Sequence, residues 1–406
     1  MGMGQEDERG VDGGRDSAAR VILRRGRARP LWYGHPWVYA QAIERLDGEA
    51  QPGDVVSVVD HDGRFIGRGL YNPRTLIPVR MVTRMEEPAD AAFFGRRLER
   101  ARALRSRLGL PSPRTTAWRL ANSEGDGLPG LVIDVFGEAV VVQITTLGMW
   151  QRRDTILDAL GALLNPRAVF VLAAPAFAEK EGFRHEPHLA RGTPLDPVAC
   201  LEDDLRLQVE PLTGQKTGMF LDQRPSRMRV GQLARGARVL DAYAYAGGFA
   251  LQAARGGAAS VTAVDTSPRA VERIGLHAAL NNLEVEIVQA DAFRFLEECA
   301  PEAFDLIVLD PPPFARARKD LEQALKAYER LNTLALGAAA EGAILVTCSC
   351  SQNVGEEEFE RMLAGAARRT GRSVRVFERH GPGEDHPVPA GFSEGRYLKV
   401  LFAVLD

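Results

Sequence analysis

From Val239 onward the chain repeats one unit: an apolar strand, an acidic residue near its end, then a helix. "ARVLDAYAYAGGFALQAARGG", "VTAVDTSPRAVERIGLHAALN", "VEIVQADAFRFLEEC" and "FDLIVLDPPPF" all follow it, and "GAILVTCSCS" adds a further strand before a helix from Glu356. Strands this apolar are buried on both faces, so the repeat predicts a parallel sheet covered by helices, an α/β fold. Such sheets bind ligands at the carboxyl ends of their strands. Asp241, Asp265, Asp291, Asp310 and the Cys348/Cys350 pair are all expected there.

The loop after Asp241 bends from strand to helix, and Gly247 and Gly248 allow a ligand close to its backbone. Asp265 ends the next strand, 24 residues on. A carboxylate at that spacing can take two ribose hydroxyls, as in dinucleotide sites. NAD is therefore a competitor, although the G-x-G-x-x-G order is missing. Asp291 with Phe293 suits an adenine, the acid accepting from the amine and the ring packing the base. One such aspartate could be an ordinary helix cap. Four at consecutive strand ends are harder to explain that way.

"LDPPPF" roots Asp310 under a stiff proline loop that lacks backbone donors. In "TCSCS", Cys348 and Cys350 share a side if the strand continues. A metal centre would need further ligands at suitable spacing, and none is present, so no metal is expected. A redox pair would read C-x-x-C. A nucleophile fits better. Cytosine C5 is too weak to take a methyl group unaided, and a thiolate adding at C6 loads electron density onto it. Asp310 would then hydrogen-bond the base near N3 or its amino group.

Ahead of the repeat the text changes twice. "DVVSVVD" and "RFIGRGLY" alternate around "HDG", and "NPRTLIPVRMV" follows as another strand, predicting a small β-barrel-like module over residues 18–85. Residues 86–200 read as α+β. They start with a helix over Asp90–Leu110 whose Phe94, Leu98, Ala101, Leu104 and Leu108 share one face and whose polar face is arginine. Residues 201–406 hold the repeat, and residues 1–17 read as a flexible Gly- and charge-rich tail. Net charge is only −3, but residues 18–84 carry 11 Arg against 6 acids. A basic amino-terminal part is a plausible nucleic-acid footprint. Four cysteines do not make a disulfide framework, and Cys200 and Cys299 read as small buried hydrophobes. With no signal or membrane segment visible, a cytoplasmic protein is expected.

Taken together, these segments resemble the RlmI-type family of 23S rRNA cytosine-C5 methyltransferases. "HPWVYAQAI", "VVDHDGRFIGRGLYNP", "NSEGDGLPG", "GQKTGMFLDQRPSR", "DAYAYAGGFA", "VDTSPRA", "LDPPPF", "SCS" and "DHPV…EGRYLK" carry the likeness, which covers nearly everything after the tail. The resemblance implies an RNA-binding PUA domain, a central domain, and a Rossmann-like methyltransferase domain that uses S-adenosylmethionine, with ribosomal RNA as partner. It places the cofactor loop on Asp241, Tyr243, Gly247 and Gly248, with Phe220, Gln223 and Arg224 beside the pocket. Asp265 becomes the ribose acid, Asp291 the adenine-side acid, Asp310 the acid at the target base and Cys350 the nucleophile, leaving Cys348 as the departure. Pro313 stands where the family shows Lys, and "YERLN" replaces a Lys-bearing "YKDIN". A related branch methylates guanine N7 with a similar "DPPTF". That activity, and a non-enzymatic assembly role, stay open here, as does a homodimer. Arg24→Glu with Arg25→Glu is expected to weaken RNA binding and flatten its salt dependence, measured by filter binding across a salt series. An unchanged slope assigns both arginines to plain solvated surface.

Overall fold

The apolar strands after Val239 pair as the repeat requires. The computed structural model describes residues 15–173, 175–214, 217–315 and 318–406. Seven strands form one sheet in the order Glu286–Gln289, Ser260–Asp265, Arg238–Ala242, Phe304–Leu309, Ala339–Ser349, Lys399–Leu405, Val374–His380. The first five run parallel, and Lys399–Leu405 is antiparallel to both its neighbours. Leu240, Ala263, Ile307, Val308 and Val346 are wholly buried, which is why these strands show no polar alternation. The chain order reverses between Arg238–Ala242 and Phe304–Leu309. Loops leaving those two strands diverge there and open a crevice.

The amino-terminal module is a six-stranded sheet ordered Trp37–Val38, Val79–Thr83, Phe65–Tyr71, Val55–Val59, Asp16–Leu23, Ile43–Asp47. Asp60 Oδ1 accepts from the backbone of Asp62 and Arg64 at 2.9 Å each, closing the turn expected at "HDG". Two expectations need correction. Asp16 and Ser17, read as tail, begin a strand, because the Arg15 N–H donates to the Asp54 carboxylate and the Arg15 carbonyl accepts from the Val55 N–H. Residues 1–14 of that tail lie outside the described residues. The strand expected in "NPRTLIPVRMV" after a proline-marked turn starts only at Val79, because the Asn72 N–H donates to the Pro78 carbonyl and residues 73–77 loop out between them.

The middle segment is a five-stranded sheet ordered His188–Gly192, Ala168–Leu172, Ala139–Ile144, Leu131–Phe136, Ala117–Asn122. The helices Ala91–Arg107 and Arg153–Leu164 pack on it. Phe94, Leu98 and Ala101 are buried as the helical spacing predicts, but Leu104 and Leu108 are 37% and 38% exposed. Arg105, assigned to the solvated arginine face, is wholly buried. The division expected at residues 200/201 falls inside the strand Val198–Glu202, whose Glu202 forms a buried pair with Arg227 at 2.5 Å. Cys200 is buried there as expected, whereas Cys299 is only partly so. Among the described residues no helix is long and apolar enough to cross a membrane.

One buried ionic network joins the middle segment to the large sheet. Arg105 makes two bonds to the Asp126 carboxylate, at 2.5 and 2.8 Å, and one to the Asp385 carbonyl at 2.7 Å. The Asp385 carboxylate takes the Arg119 N–H at 2.9 Å, the Arg224 guanidinium at 3.0 Å and His386 Nδ1 at 2.8 Å. Arg119 meets Asp134 at 2.8 and 2.9 Å, and Thr217 donates to the same carboxylate at 2.6 Å. Burial alone would push the Asp385 pKa up. The His386 hydrogen bond, the charge of Arg224 and the Arg119 N–H together hold it well below the ordinary carboxylate range.

Burial, followed by the charge of Arg119, holds His386 below its ordinary 6.5, so the folded protein keeps a neutral imidazole. The unfolded chain takes up that proton as pH falls below 6.5, so this stability is complete above 6.5 and drains as pH falls towards the folded value. His386→Gln should flatten this part of the Tm-against-pH curve. Asp385→Ala strands buried guanidinium groups and should cost about 3–5 kcal/mol in urea unfolding at neutral pH. A loss below about 1 kcal/mol would remove the network from the account of stability.

Candidate active site at the strand ends

The loop after Arg238–Ala242 makes an unusual turn. Tyr243 and Tyr245 both sit in the left-handed region, at φ +66° and +50°, and Gly247 follows at +80° as the cap of helix Gly248–Arg255. Non-glycine residues persist there only when neighbours hold them. Tyr243 and Ala244 N–H both bond the Val264 carbonyl, at 2.9 and 3.1 Å. Asp265 Oδ2 accepts the Tyr245 N–H at 2.9 Å, and the Tyr245 hydroxyl reaches the Gly218 carbonyl at 3.2 Å. The Phe220 ring stands edge-on to Tyr245 at 5.2 Å. The segment from Thr217 to Gln223 therefore closes over the loop.

Between them lies a cavity of about 1200 Å³. Phe220, Gln223, Tyr243, Gly248, Asp265, Asp291, Asp310, Pro313 and Cys350 all reach its wall. Asp265 also accepts the Ser267 N–H through Oδ1 at 2.9 Å, and Asp291 caps helix Ala292–Glu298 by accepting from Arg294 at 3.1 Å. A Cβ added at Gly248 would stand 2.5 Å from the Arg227 side chain, so only glycine fits between the loop and that guanidinium. Gln223 Nε2 donates to Asp310 Oδ1 at 3.2 Å.

Four residues expected at the site do not line the cavity. Asp241 is wholly buried under the loop, where its Oδ2 accepts the Ala250 N–H at 2.9 Å. Burial, reinforced by the charges of Asp310 and Asp265, pushes its pKa up to about 8, so it is mainly a neutral acid bracing the loop. Arg224 is turned away, into Asp385 and the Ala117 carbonyl. Gly247 shapes the turn without bordering the space. Phe293 packs behind the proline loop, 6.3 Å from Phe314 and under Arg330.

The two cysteines separate because the strand ends at Ser349. Cys350 lies beyond it and faces the cavity, whereas Cys348 is wholly buried. Burial, then the charge of Asp310, raises the Cys348 pKa well above normal and keeps it a thiol. The two departures from the expected lysines also separate. Pro313 borders the cavity and is exposed. In "YERLN", Tyr328 and Asn332 are buried and Glu329 pairs with Arg369 at 2.5 Å, so none of the three lines the cavity.

Several wall residues escaped the sequence reading. Asp222 accepts from the Tyr397 hydroxyl at 2.6 Å, joining "LDQR" to "EGRYLK" across the opening. Arg227 and Tyr245 lie within quoted motifs but look like any other charged or aromatic residue there. His277, in the middle of a helix, carries no signal at all. Burial lowers its pKa, and its ring nitrogens lie 3.0 Å from the Ala246 carbonyl and the Gln208 N–H.

The cavity suits S-adenosylmethionine. Two carboxylates at neighbouring strand ends can serve a nucleoside, and a glycine-lined turn leading into a helix admits a ligand to the backbone. Residues 21–84 match the PUA-like domain family and residues 182–391 the S-adenosylmethionine-dependent methyltransferase family. Two solved structures share the fold. SMU.776, a methyltransferase complexed with SAH, superposes with TM-score 0.83 at 20% identity, over 95% of this chain and 99% of that one. A SAM-dependent methyltransferase from Streptococcus mutans gives 0.81 at 20% identity, with the same coverage. Fold and site thus define an enzyme, an S-adenosylmethionine-dependent methyltransferase with a PUA-like domain.

The relatives narrow the class. Ribosomal RNA large subunit methyltransferase I of Alteromonas mediterranea is 37% identical over 95% of this chain and 98% of its own length. The protein of that name from Shewanella denitrificans is 38% identical over 95% and 99%. That from Shigella dysenteriae is 37% identical over 94% and 98%. The chain belongs to the ribosomal RNA large subunit methyltransferase I family. Asp265→Ala deletes the acceptor of two loop N–H groups as well as a wall carboxylate. It should weaken S-adenosylmethionine binding roughly 10- to 100-fold by calorimetry, the worth of one or two charged hydrogen bonds. Unchanged affinity would make Asp265 a purely structural anchor.

Proposed function

We propose that this enzyme forms 5-methylcytosine in large-subunit (23S) ribosomal RNA through a covalent adduct at Cys350. The observation that carries this is the placing of Cys350 and Asp310 at adjoining strand ends, in the wall of one cavity that also holds Asp265 and Asp291. The relatives' names supply the RNA. The thiol supplies the base, because methylation at guanine N7 has no use for a nucleophile in the wall.

Asp265 retains lone pairs on both oxygens after accepting its two N–H groups, and these take the ribose hydroxyls. Asp291 accepts from the adenine amine with the oxygen not used as a helix cap. The bound cofactor supplies an electrophilic methyl group. The Cys350 thiolate forms a bond to cytosine C6, which pushes an electron pair to C5. C5 would then take that methyl group. A solvent water takes the C5 proton, and the electron pair left behind re-forms the C5–C6 double bond and expels Cys350 as the thiolate. Asp310 accepts from the exocyclic amine and, tethered by Gln223, fixes the base for attack. Cys348 takes no part, being buried as a thiol.

Cys350→Ala should lower kcat by roughly a thousandfold or more, while S-adenosylmethionine affinity stays within about twofold. Bisulfite mapping of 23S rRNA from a deletion strain should show one 5-methylcytosine lost. Full turnover by Cys350→Ala would end the covalent reading. Loss of a 7-methylguanine with every 5-methylcytosine intact would replace the substrate.

A further inference from the structure

Cys350 stands between two hydroxyls that are both tied to one buried phenol. Ser349 Oγ donates to the Tyr328 hydroxyl at 3.1 Å, and the same hydroxyl is 3.1 Å from Ser351 Oγ. Tyr328, Ser349 and Ser351 are all buried. Phe314 and Phe359 pack the phenol ring at 4.7 and 5.5 Å, and Asn332 holds its carbonyl at 2.8 Å. The phenol is wholly buried and meets the hydroxyls on both sides of Cys350.

A second clamp comes from the antiparallel strand. Lys399 pairs with Ser349 in the sheet register, one residue before Cys350. Its ammonium donates to the carbonyls of Ser351 at 2.7 Å, Val354 at 2.8 Å and Tyr397 at 2.8 Å. All three N–H bonds are thus used, and two of them hold the turn that follows Cys350. Among the described residues all three acceptors are carbonyls, which leave the positive charge of the ammonium uncancelled at contact distance.

We propose that Tyr328 and Lys399 are positioning residues for Cys350. Tyr328 fixes the backbone on either side of the thiol, and Lys399 locks the following turn while holding a positive charge beside the thiolate. The proposal rests on the reading of Cys350 as the nucleophile. A thiolate formed next to a buried cation is favoured over the thiol. Burial pushes the Lys399 pKa down to about 8, opposed first by Cys350 and then by Glu356 and Glu358, so cation and thiolate support each other. The other ionisable groups facing the pair are Tyr328 from the helix Leu321–Ala338, Cys348 on the strand and Asp310 at the neighbouring strand end. Cys348 and Tyr328 are held in their neutral forms by burial, so of the groups named here only Lys399 brings a positive charge to this turn.

Alkylation reads this without the RNA. Iodoacetamide is titrated against the full-length protein over a pH series, and the Cys350 peptide is followed by mass spectrometry. The thiolate sulfur bonds to the reagent carbon and iodide leaves. Lys399→Met should move the midpoint up by roughly one pH unit, a tenfold slower reaction at lower pH, while Lys399→Arg keeps it near wild type. Tyr328→Phe removes one oxygen from an otherwise intact core. It should leave the midpoint in place and lower kcat about tenfold at unchanged KM for rRNA. An unmoved midpoint in Lys399→Met, or wild-type kcat in Tyr328→Phe, overturns the proposal. The Tyr328→Phe arm still decides the matter if Lys399→Met fails to fold. Full turnover by Cys350→Ala would instead remove the nucleophile reading, whereas the alkylation midpoint is read on proteins that keep Cys350, so the two failures are told apart.

Discussion

Asp385 is the carboxylate on which the arrangement of this enzyme turns. It is wholly buried, collects hydrogen bonds from the Arg119 N–H in the middle segment and from its neighbour His386, and forms an ion pair with Arg224 at the head of the helix after "LDQ". Its carbonyl holds Arg105, which also clasps Asp126. Taking charges out of water is expensive, and only a fully paired set survives it. The pairing has a geometric result. Arg224 cannot meet Asp385 unless Phe220, Asp222 and Gln223 lie immediately ahead of it, over the cavity. The ionic network thus sets one wall of the cofactor site although none of its arginines touches that space.

The opposite wall depends on strain held by hydrogen bonds. Two tyrosines in left-handed conformation cost on the order of 1–3 kcal/mol each. The Val264 carbonyl, the Asp265 carboxylate and the buried Asp241 offset that cost by holding the loop from below. Asp241 and Asp265 therefore share one loop but differ in kind. The first is a mostly neutral brace in the interior, and the second keeps acceptor capacity facing the cavity. At the far end, the serines on either side of Cys350 are tied to the Tyr328 phenol, and the Lys399 ammonium holds the turn that follows. The site is built from five different strand ends.

Much of this was readable from the chain alone. Period, polarity and turn residues revealed the parallel sheet, because strands buried on both faces must be continuously apolar. The acids at strand ends marked the crevice for the same reason: only there does a polar residue interrupt the pattern for a ligand. Eight of the residues singled out border one cavity. They lie in short motifs, where backbone geometry and side-chain position are coupled over a few residues.

What the sequence could not decide depended on contacts between distant segments. Arg105 reads as a solvated face residue until Asp126 and Asp385 arrive to neutralise it. Arg224 and Asp241 look like ligand-binding groups until the tertiary structure turns one into Asp385 and buries the other under its own loop. The roles of Cys348 and Cys350 diverge because the strand ends between them, and no local pattern says where a strand must end. Local chemistry determined which residues could form a methyl-transfer site. Burial and long-range pairing decided which of them face the cavity and which hold the others still.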